Sequence, residues 1–299
     1  MNIIKSNEGN ELIKKNIISG NPFIATKLGG VEQGIISCKE NNNYDPIRRM
    51  ASDNAGITPS DNNTLDYFYN LYVNGISNSD IIGAMGLTNE QSIISKYSKN
   101  CVYSELRYLE PFYFDNPWSS ELKDKNVLVI HPFENTIIEQ YKNREFLFEN
   151  KNILPKFNLK TIRAEQTNGG GRHDNKSFIE STGIMMEKIN NIDFDIALIG
   201  CGAYGLILSN HIKKLNKQAI HIGGGLQILF GIKGRRWDVH PEISQLYNDS
   251  WVRPSDDEKT LNIDVVEGGT YWSYDSGYFY TQRVSTLFRI YIKKSIRKK

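Results

Sequence analysis

The segment Asp195-Ile-Ala-Leu-Ile-Gly-Cys-Gly-Ala-Tyr-Gly205 decides the fold. Its run Asp195–Ile199 is typical of a buried β-strand, and Gly200-Cys-Gly-Ala-Tyr-Gly205 matches the pattern G-x-G-x-x-G directly after that strand. Glycines in this pattern allow a tight turn and let backbone N–H groups approach a phosphate at the start of the following helix. The alternative is a tight turn that only serves helix packing. In either case the segment predicts a strand–turn–helix unit, with the helix running to Lys214.

Similar units flank this segment on both sides. Strands are predicted at 126–130, 159–164 and 218–222, and helices at 134–148 and 177–192. Strands that alternate with helices form parallel sheets with both faces covered. The sequence therefore predicts an α/β fold, with a Rossmann-like, mostly parallel sheet that is clearest over residues 125–235.

The amino-terminal third is less regular. Residues 23–28 predict a strand, and residues 62–73 and 89–109 predict helices, so this part either completes the sheet or caps it. We expect a single domain over residues 1–272, followed by a basic amphipathic tail at 273–299.

Charge is unevenly distributed along the 299 residues. The 36 basic and 34 acidic side chains nearly balance, which argues against a general nucleic-acid-binding surface. Seven basic residues and no acidic ones follow Asp275, so the rest of the chain is net negative. Residues 281–299 could therefore form a basic helix that rests on an anionic membrane. A solvated tail, or a helix docked on the acidic body of the protein, is the alternative.

Cysteine and hydropathy patterns point to the cytoplasm. Three scattered cysteines form no C-x-x-C pair, and the amino terminus lacks the apolar region of a signal peptide. The longest uncharged stretch, 196–212, contains glycines and polar residues that make it a poor membrane span. We expect a cytoplasmic protein, with peripheral contact at the inner membrane face through its tail.

Polar and glycine residues follow several predicted strands. Ligands of open parallel sheets bind beyond the carboxyl ends of the strands, so these residues are predicted to converge on one cleft. They are Glu32, His131, Gln166, Gly202, Tyr204 and Gly224. Turns between strands and helices need such residues in any case, which is the structural alternative.

Acid–base and cationic candidates are few. Glu32 could bind a metal or activate an acceptor hydroxyl, or be a solvated loop carboxylate. His131 and His221 are more typical of satisfied histidines at the edge of a core. Arg235 and Arg236 could hold a diphosphate by bidentate hydrogen bonds, or lie in a solvated basic loop.

Several segments resemble bacterial glycosyltransferases of the GT-D fold, which build surface polysaccharides or glycosylate adhesins. The resemblance covers roughly residues 20–272. The segments are 27–32 (KLGGVE), 54–59 (NAGITP), 127–133 (VLVIHPF), 197–205 (ALIGCGAYG), 221–237 (HIGGGLQILFGIKGRRW), 251–254 (WVRP) and 266–272 (VEGGTYW).

The resemblance implies a nucleotide-sugar donor, typically UDP-linked, a glycan or lipid-linked acceptor, and Mn²⁺ or Mg²⁺. The family's Asp-x-Glu element corresponds to Gly30-Val-Glu32, so Glu32 matches while the Asp position holds Gly30, which puts metal dependence in question. Glu32 is the candidate catalytic residue and the one candidate metal ligand. The candidate donor-binding residues are Gly29, Gly30, His131, Gln166, Gly200, Gly202, Tyr204, Gly205, Gly223, Gly224, Arg235 and Arg236.

Two other functions stay open at this stage. The missing Asp favours a non-catalytic protein of the same fold that binds nucleotide sugars or acts as a scaffold. The glycine pattern favours an NAD-dependent oxidoreductase, but the next strand ends at His221-Ile-Gly223, without the acidic residue that would bind a ribose.

Overall fold

The computed structural model describes residues 3–98, 100–169 and 176–272. Eight strands of this part form one sheet in the order β1-β4-β3-β2-β8-β7-β5-β6, and every adjacent pair is parallel. The strands are β1 (Ile3–Ile4), β2 (Ile24–Lys27), β3 (Ile81–Ala84), β4 (Val102–Glu105), β5 (Asn126–His131), β6 (Asn158–Arg163), β7 (Ile196–Ile199) and β8 (Gln218–His221).

Helices connect the strands and cover both faces of the sheet. They are α1 (Ser6–Ser19), α2 (Gly30–Glu40), α3 (Arg48–Asp53), α4 (Asn62–Asn78), α5 (Glu90–Tyr97), α6 (Glu134–Lys142), α7 (Arg144–Leu147), α8 (Phe178–Asn190), α9 (Tyr204–Lys214), α10 (Gly225–Leu229), α11 (Arg235–Asp238) and α12 (Pro241–Ser244). Short 3₁₀ turns lie at 106–109, 111–113, 118–122, 256–258 and 263–265.

The central strands are apolar on both faces because each face packs on helices. In β5, Leu128 and Ile130 belong to a core with α2, α4, α8 and α9. Val127 and Val129 point the other way, into a second core with α1, α6, α7 and α10. The predicted α/β fold with a parallel sheet between two helical layers is thereby confirmed.

The order of the strands reverses at the middle of the sheet. The chain leaves β2 toward β3 and leaves β5 toward β6, in opposite directions, and β8 and β7 lie between these two starting strands. In open parallel sheets, ligands bind beyond the carboxyl ends of the strands where the order reverses. A ligand site is therefore expected at the ends of β2, β8, β7 and β5.

The amino-terminal third completes the sheet. The predicted strand at 23–28 is β2, and the predicted helix at 62–73 is α4, whose first turn is capped by the Asp61 side chain. The predicted helix at 89–109 is wrong, because α5 ends at Tyr97 and β4 follows it. Sheet pairing overrides local preference here, since β4 is only four residues long and is held between β1 and β3.

The predicted tail at 273–299, with its amphipathic segment 281–299, lies outside the described residues. The domain boundary at residue 272 stays a prediction. Among the residues that the structure describes, no helix combines the length and apolar character that a membrane crossing requires.

Candidate functional site

The turn after β7 is closed by protein packing. A Cβ added at Gly200 would lie 2.7 Å from the His131 ring, and one at Gly205 would lie 2.2 Å from Nε2 of His221. Gly202 has a positive φ of 58°, and a Cβ there would meet no atom within 4 Å. Two of the three glycines of the pattern are therefore required by neighbouring histidines, and Gly202 alone borders open space.

Tyr204 lies in the core at the start of α9. Its ring stacks on Phe178 with centroids 4.4 Å apart, and its hydroxyl lies 2.6 Å from Oγ1 of Thr167. Thr167 also donates to the carbonyl of Gly56 at 2.5 Å. These contacts connect segments 54–59 and 197–205, two of those that support the resemblance, and they give Tyr204 a packing role. Its part in donor binding stays a prediction.

His131 and His221 are both buried and neutral. Burial lowers the pKa of each to about 3, with Lys27 adding to the effect at His221. His131 Nδ1 accepts the backbone N–H of Phe133 at 3.0 Å, and His221 Nδ1 lies 3.0 Å from Oγ1 of Thr26. The structure thus places both at the edge of the core, but Nε2 of His221 is buried without a hydrogen-bond partner among the described residues. The donor-binding role of His131 stays a prediction.

Glu32 lies in the first turn of α2 and is buried. The loop alternative is therefore wrong. Its carboxylate lies over Gly29, because a Cβ added at Gly29 would be 2.0 Å from Oε2 of Glu32. Burial raises the pKa of Glu32, and Lys27 opposes that rise. A carboxylate held this way is a stronger base than an exposed one.

Tyr72 supports the same turn from α4. Its hydroxyl accepts the backbone N–H of Gly29 at 3.3 Å. Burial and the nearby Glu32 raise the pKa of Tyr72 well above its ordinary value, so the hydroxyl stays protonated. Tyr72 therefore fixes the turn on which the Glu32 carboxylate lies.

Lys27, the last residue of β2, is a site residue that the sequence did not indicate. Its Cε would lie 2.7 Å from a Cβ added at Gly223, so its side chain crosses the turn after β8. Its charge acts on Glu32, Glu110 and His221. A lysine at a strand end gives no signal in a sequence pattern, because lysines are common at such positions.

Glu110 is a second carboxylate that the sequence did not indicate. It follows the 3₁₀ turn after β4, and its Oε1 would lie 3.2 Å from a Cβ added at Gly225. Burial raises its pKa to about 7, while Arg107 and Lys27 oppose the rise. Two carboxyl groups with raised pKa values thus lie within the electrostatic range of one lysine.

Glu90, at the same edge of the sheet, is a buried carboxylate with a structural role. It is fully buried and accepts hydrogen bonds from the backbone N–H groups of Met85 and Gly86 and from the Tyr103 hydroxyl, at 2.9–3.0 Å. All three bonds go to Oε2, and Oε1 accepts a further one from Nε2 of Gln33 at 3.3 Å. Glu90 therefore holds the turn after β3, whereas among the described residues the Glu32 carboxylate has only its own backbone N–H as a donor.

The carboxyl-terminal segment 260–272 packs against the loop at Gly169 and the turn at Gly224. Arg236 pairs with Glu267, and its guanidinium lies 4.9 Å from the centre of the Tyr271 ring. A Cβ added at Gly224 would lie 3.2 Å from Trp237 and 3.5 Å from Tyr271. Glu267 also contributes to the raised pKa of Glu32. The predicted arginine therefore borders the cleft as part of an ion pair.

The remaining candidates lie along the same edge. Gln166 is buried in the loop after β6, and Gly30 begins α2 at the surface. Arg235 starts α11, and its backbone N–H bonds to the carbonyl of Trp272 at 3.1 Å. The structure brings these residues to one side of the sheet, and their contact with a donor stays a prediction.

The residues that the structure describes do not fit a divalent metal held by the protein. The Asp position of the family pattern is Gly30, and Glu32 is desolvated beside the cationic Lys27. Among the described residues, no three His, Cys, Asp or Glu side chains are grouped as metal ligands. Mg²⁺ and Mn²⁺ favour several oxygen ligands, which a single carboxylate beside an ammonium group does not provide.

Two solved structures resemble this one. Both are of the domain of unknown function 1792, one selenomethionine-substituted and the other described as having a distinct glycosyltransferase fold. Each has 10% sequence identity and a TM-score of 0.51, and each match covers 92% of this chain and 92% of that chain. No protein-family model matches the sequence, and no curated protein matches it. At the level of fold, the chain is therefore similar to a glycosyltransferase.

Proposed function

We propose that this protein is a glycosyltransferase that moves a sugar from a nucleotide-sugar donor to a glycan acceptor of the bacterial surface. One observation supports the proposal above the others: the buried carboxylate of Glu32 lies at the carboxyl end of β2, in the middle of a sheet of glycosyltransferase-like fold. This is the edge where parallel sheets bind nucleotides.

The chemistry requires a base and a stabilised leaving group. The Glu32 carboxylate takes the proton of an acceptor hydroxyl as that oxygen forms its bond to the sugar. The bond between sugar and diphosphate breaks, and its electron pair stays on the diphosphate. Arg236 borders the cleft, and its exchange of Glu267 for a phosphate would stabilise that charge.

Nucleotide release is the test of this proposal. The protein is incubated with UDP-sugars or GDP-mannose and a lipid-linked or oligosaccharide acceptor, and released nucleotide is measured. Glu32→Gln is expected to lower the rate by about 100-fold or more, since general-base catalysis contributes about 10²–10⁴-fold. The matched control is Glu134→Gln, in the first turn of α6 directly after β5, which should retain the wild-type rate. Full activity of Glu32→Gln would show that Glu32 is not the base.

The Arg236 contribution has its own measurement. Arg236→Ala should weaken donor binding in calorimetry, because the guanidinium is the charged group of α11 that faces Tyr271. Arg235→Ala tests the other member of the predicted clamp. Unchanged donor affinity in both variants would exclude the clamp.

A nucleotide-sugar-binding protein without transferase activity is the second candidate. The glycine at position 30 favours it, since the Asp of the family pattern is missing there. Such a protein would bind the donor and release no nucleotide when acceptors are added. Binding without release for every donor and acceptor pair would support this candidate over the transferase.

The acceptor site is proposed to lie near a membrane. Residues 281–299 combine basic and apolar residues at helical spacing, as a peripheral anchor would. Deletion of residues 281–299 should reduce cosedimentation with vesicles that contain phosphatidylglycerol. Unchanged cosedimentation would contradict the membrane contact and leave the transferase proposal unaffected.

A further inference from the structure

We infer that the Lys27 side chain supplies the fixed positive charge that binds the diphosphate of the donor, so that donor binding needs no divalent cation. The inference rests on the proposed function, because it names the group that binds the leaving diphosphate. It follows from the disagreement between the metal that the resemblance implies and the residues that this chain provides.

Lys27 is the last residue of β2, which pairs with β8 in the centre of the sheet. Its side chain lies across Gly223, whose positive φ of 68° and missing side chain make room for it. The ammonium group is thus held at the carboxyl edge where the two halves of the sheet meet.

The charged groups around Lys27 favour anion binding. Lys27 is partly buried, and the described residues place no carboxylate oxygen within 4.0 Å of its Nζ. The nearby carboxyl groups of Glu32 and Glu110 act on it over longer distances, and burial favours the neutral form of both. A lysine that is only weakly compensated by its own protein is well suited to bind an anion.

The Lys27 ammonium group and a divalent metal are two different ways to bind a phosphate. An ammonium group is a compact charge that binds phosphate oxygens directly. The same charge repels a divalent cation from the Glu32 carboxylate. Because Gly30 removes the second carboxylate of the family pattern, Lys27 and a bound metal are alternatives at this edge.

The experiment measures binding by calorimetry with inorganic pyrophosphate and with UDP, each in EDTA and in Mn²⁺. The variants are Lys27→Met, which keeps an unbranched side chain as far as Cε and removes the ammonium group, and the control Lys217→Met. Lys217 precedes β8 at the opposite edge of the sheet and pairs with Asp193 at 3.2 Å. Both variants remove one positive charge, so a general charge effect cancels. Circular dichroism and thermal unfolding check that each variant folds.

Wild-type protein should bind both probes in EDTA with affinity within about twofold of that in Mn²⁺. Lys27→Met should lose at least tenfold in affinity, and Lys217→Met less than about twofold. Equal affinity of Lys27→Met and wild type would overturn the inference. Binding by wild type only in the presence of Mn²⁺ would also overturn it, and that measurement needs no variant.

Glu32→Gln adds a test, because the two arrangements predict opposite changes in pyrophosphate affinity. If Lys27 binds the diphosphate, loss of the nearby carboxylate leaves pyrophosphate affinity unchanged or raises it. If Glu32 holds a metal, the same change lowers affinity in Mn²⁺ and contradicts the inference.

The two proposals fail in different ways. Pyrophosphate binding that depends on Lys27, without binding of any nucleotide or nucleotide sugar, would support the anion site and contradict the glycosyltransferase. Nucleotide release that is unaffected by Lys27→Met would leave the glycosyltransferase standing and overturn the role of Lys27.

Discussion

The turns after β7 and β2 are both rich in glycine, but their glycines make room for different groups. At Gly205 the space that a side chain would need is filled by the imidazole of His221, which is buried and neutral. At Gly29 the space is filled by the carboxylate of Glu32, at the end of a flexible side chain. The turn after β7 is therefore built for packing, while the turn after β2 carries the proposed base, Glu32.

The best motif match therefore lies apart from the groups that we propose to be reactive. The pattern G-x-G-x-x-G lies after β7, whereas Lys27 and Glu32 lie around the less regular turn after β2. Substitutions at the two turns should consequently separate stability from activity.

Gly205→Ala should give the largest loss of stability. The new Cβ would overlap the buried His221 ring, and overpacking of this kind costs about 3 kcal/mol. Urea unfolding measures the change in the free energy of unfolding. The matched control is Gly183→Ala in α8, where a Cβ meets no atom within 4 Å and the higher helix propensity should stabilise the protein by about 1 kcal/mol. Equal stability of both variants would contradict the packing role of Gly205.

Gly29→Ala should affect activity far more than stability. The Cβ displaces the Glu32 carboxylate, which can rotate away, so the free energy of unfolding should change by less than about 1 kcal/mol. Transferase activity should fall by at least about tenfold, because the base moves from its position. A variant with full activity would show that the observed position of Glu32 is not needed for the reaction.

Glu110 should make stability depend on pH. Its pKa is raised from 4.5 to about 7, so the folded state holds a proton that the unfolded state releases between these values. Stability should therefore fall as the pH rises from about 4.5 to about 7, by about 1 kcal/mol given the partial exposure of the group. Glu110→Gln should remove this part of the pH dependence in urea unfolding at a series of pH values. A difference between the two proteins that is constant across the window would contradict the raised pKa.

Tyr204→Phe should have a small effect, on stability alone. It removes the hydroxyl that contacts Thr167, while Thr167 keeps its bond to the Gly56 carbonyl. The expected loss is about 1 kcal/mol of unfolding free energy. If the hydroxyl serves packing only, donor affinity in calorimetry stays unchanged, which would contradict the donor-binding role predicted from the sequence. A marked loss of affinity would support that role.

Much of the fold could be predicted from local patterns. The apolar runs of β5, β7 and β8 and the helix that ends at Lys214 are strong signals, because a strand buried on both faces is apolar throughout. The strand β4 escaped prediction, since four residues with two polar side chains are a weak pattern, and its pairing partners are distant in sequence.

The residues of the candidate site were likewise predicted from the sequence only in part. Glu32, Gly202 and Arg236 follow from turns after strands and from a basic cluster, which are local features of the sequence. Lys27 and Glu110 could not be predicted from local sequence features. Their place in the site depends on contacts with Gly223 and Gly225 after β8, more than 100 residues away in the chain. The sequence by itself determined which strands and turns exist. Only the tertiary structure decided which charges meet, because burial and the distances between charged groups are set by the packing of segments far apart in the chain.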